Sequence, residues 1–228
     1  MDYSLKHSLC TVEKPDGGLT RGGSQSLSAS KSISLAGCGI VGAAELLIYL
    51  SRNHGFVCPG LLQDVPFKDT ISAENYDTLL KKIASRYLPI IPRAGINGAE
   101  LAAGVNLIFK KYSVPLRARW GIGTRGFYED IESMLIKDIP VIISVGPNVP
   151  KFWGNDRVDL YSMRGDGELE KSTSVKAHYM IVTGLDGERI KVSSWGQEFY
   201  ILRSDYDNYV KQHSSSIVCN ILHIDDRK

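Results

Sequence analysis

Cys38 stands in the pentapeptide Ala36-Gly37-Cys38-Gly39-Ile40, directly ahead of an apolar stretch with helical spacing. A thiol placed there meets the unpaired N–H groups and positive end of a helix, which favour thiolate over thiol. The same N–H groups can donate to the oxyanion of a tetrahedral intermediate. Gly37 and Gly39 leave room for a peptide backbone to approach. Taken alone, a small cysteine at a helix start reads equally well as packing. His178 opens the apolar run Ala177-His178-Tyr179-Met180-Ile181-Val182, 140 residues after Cys38. From a strand end an imidazole can take the thiol proton and later return it to a leaving amine. The next strand candidate ends in Ser193-Ser194-Trp195-Gly196. A polar side chain there can hold the second ring nitrogen, and Trp195 can keep water off that hydrogen bond.

Groups so distant along the chain need a fold to bring them together. Ile40, Val41, Ala44, Leu47, Ile48 and Tyr49 recur at helical spacing after Cys38, with Gly55 as C-cap. Further helices are expected over residues 72–87 with Ser72 as N-cap, 97–112 with Asn97 as cap, 125–137, and 204–212. Pro89 stops the first of these. Strands are expected over 114–120, 140–145, 177–185, 190–194, 198–202 and 216–224. Asp186-Gly187 reads as a two-residue hairpin turn that returns the chain beside His178. Helices first and mainly strands afterwards imply an α+β fold, with N-terminal helices packed on a C-terminal antiparallel sheet. Residues 1–34 read as an irregular arm, because Gly17 to Ser34 holds four glycines and six serines. Residues 35–228 then form a single domain. The polar stretch 147–174 is expected as a long loop, a candidate flap over a cleft. Trp120, Trp153, Tyr128 and Tyr161 are candidate cleft aromatics, and Arg157 and Arg164 candidate contacts for an acidic substrate.

The blocks Gly-Cys-Gly before a helix, AHYMIVTG on a strand and IKVSSWG on its neighbour together resemble those of the papain-like cysteine peptidase superfamily. The chain is most similar to bacterial peptidases like the leader-cleaving domains of double-glycine bacteriocin exporters, over about Gly37 to Ile201. The separation of Cys38 and His178 falls within the roughly 130–150 residues of papain-type partners. The resemblance implies a papain-like fold and hydrolysis of a peptide or isopeptide bond through a thioester acyl-enzyme, with no metal or cofactor. Cys38 is then the nucleophile and His178 the base and acid. The third position, Asn or Asp in the family, falls on Ser193 when Trp195-Gly196 is the anchor, with Ser194 as the alternative register. The family's oxyanion glutamine, about six residues before the cysteine, finds serine at position 32. Gln25, thirteen residues ahead of Cys38, is the upstream glutamine. These departures keep two other readings open: an acyltransferase on the same fold, and a non-catalytic domain that binds a peptide or protein partner.

Composition narrows the field. The 228 residues are 43% hydrophobic and 23% charged, enough apolar material for a core. A net charge of +2, from 27 basic and 25 acidic side chains, argues against an electrostatic nucleic-acid binder. The apolar run from Ile40 to Leu50 is interrupted by Glu45 and is too short for a membrane span. With no apolar signal segment legible in the first residues, the compartment defaults to the cytoplasm. Cys10, Cys38, Cys58 and Cys219 form no CxxC pair and are expected as reduced thiols. His7, His54, His213 and His223 show no metal-ligand spacing, and no metal is expected. The oligomeric state is not legible.

Overall fold

Capping residues set the helix ends that matter for the site. In the computed structural model, which describes residues 1–63, 65, 70–91, 95–121 and 126–227, the Ser72 hydroxyl accepts the Asn75 N–H at 3.3 Å. Asn97 and Glu100 exchange reciprocal bonds of 2.9 Å with each other's backbone N–H, a capping box. Gly55 ends the Cys38 helix in the left-handed conformation, at φ +70°. The elements run β1 (Tyr3–Ser4), β2 (Thr11–Glu13), β3 (Leu19–Arg21), a 3-10 turn (Gln25–Leu27), α1 (Lys31–Ala36), α2 (Cys38–His54), β4 (Thr70–Ser72), α3 (Ala73–Arg86), α4 (Gly98–Lys111), β5 (Leu116–Trp120) and α5 (Phe127–Ile136). They continue with β6 (Val141–Val145), β7 (Val158–Met163), β8 (Leu169–Val175), β9 (His178–Leu185), β10 (Arg189–Ser194), β11 (Gln197–Leu202), α6 (Arg203–His213) and β12 (Ile221–Asp226). The expected start of α5 at Arg125 lies outside the described residues.

The architecture is mixed α+β around a large antiparallel sheet. Its strand order is β5-β12-β6-β9-β10-β11-β7-β8, and β1 pairs with the far end of β9. All five residues of β6 are buried, as an unbroken Val/Ile run covered on both faces requires. The helix α2 crosses this part of the sheet at Gly42, where an added Cβ would lie 3.2 Å from Ile142. That close approach carries the N-terminus of α2 to the start of β9. Most of α2 is buried: Gly39, Ile40 and every residue from Gly42 to Leu50.

Three expectations are corrected. Residues 1–34 are not an irregular arm: β1 joins the main sheet, β2 pairs with β3 and β4, and Cys10 and Val12 are core residues. Apolar side chains at alternate positions of short segments are too few to register as periodicity, so the pairing was hidden. Part of the 147–174 stretch is not loop but the β7–β8 hairpin, whose polar side chains suit a sheet edge exposed to water. The turn after β9 is centred on Gly187-Glu188, because the Asp186 carboxylate accepts the N–H groups of Glu188 and Arg189 at 2.9 and 2.7 Å.

Candidate functional site

Cys38 is the first residue of α2 and is partly exposed to the cleft. Burial pushes its thiol above the ordinary value, and the N–H groups of Tyr179, Gly39 and Cys38 itself pull it back only in part. The expectation of a thiol shifted toward thiolate is therefore corrected for the resting protein. An anion at this depth loses more hydration than the helix end and nearby amides return.

His178 opens β9, between β6 and β10, opposite Val145. The residue before it, Ala177, has φ +49°, and the residue at the end of the neighbouring strand, Trp195, has φ +51°. Two non-glycine residues in left-handed conformation beside one histidine mark a locally strained site. The imidazole Nε2 lies 2.7 Å from the Ser194 hydroxyl oxygen, leaving Nδ1 as the nitrogen open to another partner. The Trp195 indole stacks on the imidazole, with centroids 4.6 Å apart and planes 24° apart. Burial lowers the imidazole to about 4, so it is neutral at physiological pH.

Ser193 does not reach His178; its hydroxyl donates to the Arg21 carbonyl at 3.1 Å. The reason is a β-bulge. Ile190 pairs with Leu185 and Lys191 with Gly184, but Val192 then pairs with Val182, skipping Thr183. Paired residues share a face, and side chains alternate along each strand. Without the bulge Ser193 would share the face of His178; with it, Ser194 does. Past Ser194, Trp195 and Gly196 both hold positive φ, the requirement of a tight two-residue hairpin turn into β11. A Cβ on Gly196 would lie 2.7 Å from the Thr20 Cβ, so the turn packs directly on the N-terminal strands.

Gln25 is brought to the site although thirteen residues precede Cys38. The segment ahead of it approaches through Gly22 and Gly23, where a Cβ on Gly22 would meet the Ser193 hydroxyl at 2.7 Å. A Cβ on Gly23 would overlap the Tyr76 hydroxyl. The Gln25 amide donates one bond to the Ser34 carbonyl at 3.0 Å. Gln25, Cys38, His178, Trp120, Tyr179 and Ile217 line a common cleft of about 630 Å³. Gly37 caps α2, and Gly39 lies against the Tyr179 ring, where a Cβ would touch it at 3.4 Å. Trp120 meets Tyr179 edge-on at 6.1 Å and donates its indole N–H to the Ile217 carbonyl at 2.7 Å. Tyr128, Trp153, Tyr161, Arg157 and Arg164 do not line this cleft. Arg164 pairs with Asp166 and Glu170, and Arg157 donates to the Ser174 carbonyl. Among the described residues no group of His, Cys, Asp and Glu is arranged to hold a metal ion.

One buried residue was missed. Glu45 interrupts the apolar face of α2 two turns after Cys38, is 2% exposed, and lines an inner cavity with Cys38 and His178. The signal is a lone carboxylate in the otherwise apolar stretch Ile40 to Leu50, since an acidic side chain is almost never fully buried without partners. Comparison with protein-family models, curated proteins and solved structures finds no match.

Proposed function

We propose that the chain is a papain-like thiol hydrolase acting on a peptide or isopeptide bond. The observation that carries this reading is Cys38, at the N-terminus of α2, sharing one cleft with a His178 whose far nitrogen is held by Ser194. In the proposed reaction, Nδ1 of His178 takes the thiol proton as Sγ of Cys38 attacks the carbonyl carbon. The carbonyl π electrons move onto oxygen, and the oxyanion is met by the Cys38 backbone N–H and the second N–H of the Gln25 amide. Collapse re-forms the carbonyl, and the carbon–nitrogen bond breaks. The imidazolium protonates the departing amine, leaving a thioester. Water, deprotonated by the now neutral imidazole, attacks the thioester, and the thiolate leaves and regains its proton. A different acceptor in that last step would make the same site an acyltransferase.

A peptide-binding domain without turnover is the second reading, favoured by the neutral resting state of both the thiol and the imidazole. Iodoacetamide labelling at pH 8, followed by peptide mass spectrometry, separates the two. A hydrolase labels at Cys38 ahead of Cys10, Cys58 and Cys219, loses that preference in His178→Gln, and cleaves members of a peptide library only while Cys38 is intact. Labelling of Cys38 that is indifferent to His178, or full turnover by Cys38→Ala, overturns the reading.

A further inference from the structure

Glu45 is held on every side. Its Oε1 accepts the Gly23 N–H at 3.1 Å and the Tyr76 hydroxyl at 3.0 Å, and the Cys10 thiol lies 3.5 and 3.7 Å from its two oxygens. A Cβ on Gly22 would lie 3.5 Å from Oε2 and 2.7 Å from the Ser193 hydroxyl, so both approach the same point. A cavity of about 20 Å³ separates this carboxyl group from the reacting pair, bounded by Glu45, Cys38, His178, Ser193, Ser194 and Gln25. A cavity of that size has room for one water, and the carboxyl, hydroxyl and imidazole groups on its wall could bond one. We infer that Glu45 is a positioning residue of the site, whose carboxylate supplies, through one water and the Ser194 hydroxyl, the countercharge for the His178 imidazolium. The inference rests on the hydrolase reading above.

The chemistry asks for such a group. The third member on the imidazole is a neutral hydroxyl, which orients the ring but carries no charge. During acylation the negative charge passes from sulfur to the carbonyl oxygen, where the oxyanion donors hold it, so the imidazolium no longer has the thiolate beside it until it passes its proton to the amine. A buried cation then needs another anion nearby. Burial raises Glu45 to about 7, against the opposing pull of Tyr76, Cys10, the Gly23 N–H and the Arg52 charge. Tyr76 faces it from α3, Cys10 from ahead of β2, Arg52 from α2 itself, and Cys38 and His178 from across the cavity. Above neutrality the carboxylate lowers the cost of forming the imidazolium from the neutral resting ring; below it, Glu45 is neutral and supplies no countercharge.

The test is the pH dependence, from 5 to 9, of Cys38 alkylation by iodoacetamide in the intact chain, Glu45→Gln and Tyr76→Phe. The unaltered protein is expected to gain reactivity with a midpoint near 7, following Glu45. Glu45→Gln keeps an oxygen for Gly23 and Tyr76 but loses that limb, and at pH 8 reacts about tenfold more slowly, the size of one charge-assisted hydrogen bond. Tyr76→Phe keeps the limb and moves its midpoint upward. A Glu45→Gln profile that superimposes on the parent overturns the inference. Should Glu45→Gln fail to fold, an unmoved midpoint in Tyr76→Phe overturns it instead. Rapid, His178-dependent labelling with no Glu45 limb sinks this inference and leaves the hydrolase reading standing, whereas labelling indifferent to His178 removes both.

Discussion

The two serines at the end of β10 give the sharpest prediction, because they differ by one position and oppose each other across the strand. Ser194→Ala removes a buried hydroxyl 2.7 Å from Nε2 of His178. In the neutral protein that leaves a ring nitrogen without its partner; in the transition state it removes a bond to a developing imidazolium. A hydrogen bond to a charged group contributes about 1.5–3 kcal/mol, so kcat is expected to fall about 10- to 150-fold. Ser193→Ala instead removes a bond to the Arg21 carbonyl at 3.1 Å, on the strand face away from the imidazole. It is expected to cost about 0.5–1.5 kcal/mol of stability and to change turnover less than about threefold. Both variants are compared by second-order alkylation of Cys38 and by hydrolysis of the best library peptide, with denaturant unfolding as the control. If Ser193→Ala loses as much reactivity as Ser194→Ala, the bulge-shifted register is not what positions the imidazole.

Gln25→Ala removes a proposed oxyanion donor and should lower kcat about 100- to 1000-fold while KM and thermal stability change little; an unchanged kcat denies Gln25 that role. Trp195→Gly retains a residue suited to φ +51° but strips the indole from the imidazole, so His178, measured by NMR titration, should rise from about 4 toward 6.5. A value still near 4 would mean that the indole is not what keeps water away. Stability against pH separates two buried groups of opposite sign. His178 titrates lower in the folded chain, about 4 against 6.5, so its contribution is complete above 6.5 and is lost as pH falls toward 4. Glu45 titrates higher, about 7 against 4.5, so its contribution is present below 4.5 and is lost as pH rises through 7. Each is on the order of 3 kcal/mol at full expression, and they oppose each other from pH 4.5 to 6.5. Glu45→Gln should therefore steepen the rise in stability across that window and His178→Gln should reverse it, as read by urea unfolding at several pH values; equal slopes in all three proteins would refute the assignment.

Local chemistry made much of this molecule readable in advance. The start of α2 at Cys38 and its end at Gly55, the caps Ser72 and Asn97, the buried Val/Ile strand β6 and the entry of His178 into β9 all follow from neighbours within a few residues, where propensity and capping act. Tertiary structure alone decided the rest. Which serine meets the imidazole depends on a single bulge between β9 and β10, and a one-residue shift in pairing exchanges the faces of a strand. The approach of Gly22 and Gly23 to Glu45 and Tyr76 depends on β2 and β3 docking beside helices far along the chain, a long-range packing choice with no local signature. The charge of the reacting pair was also beyond local reading. A helix end by itself favours thiolate, but the surrounding fold removes water from the sulfur and the ring, and that desolvation outweighs the helix.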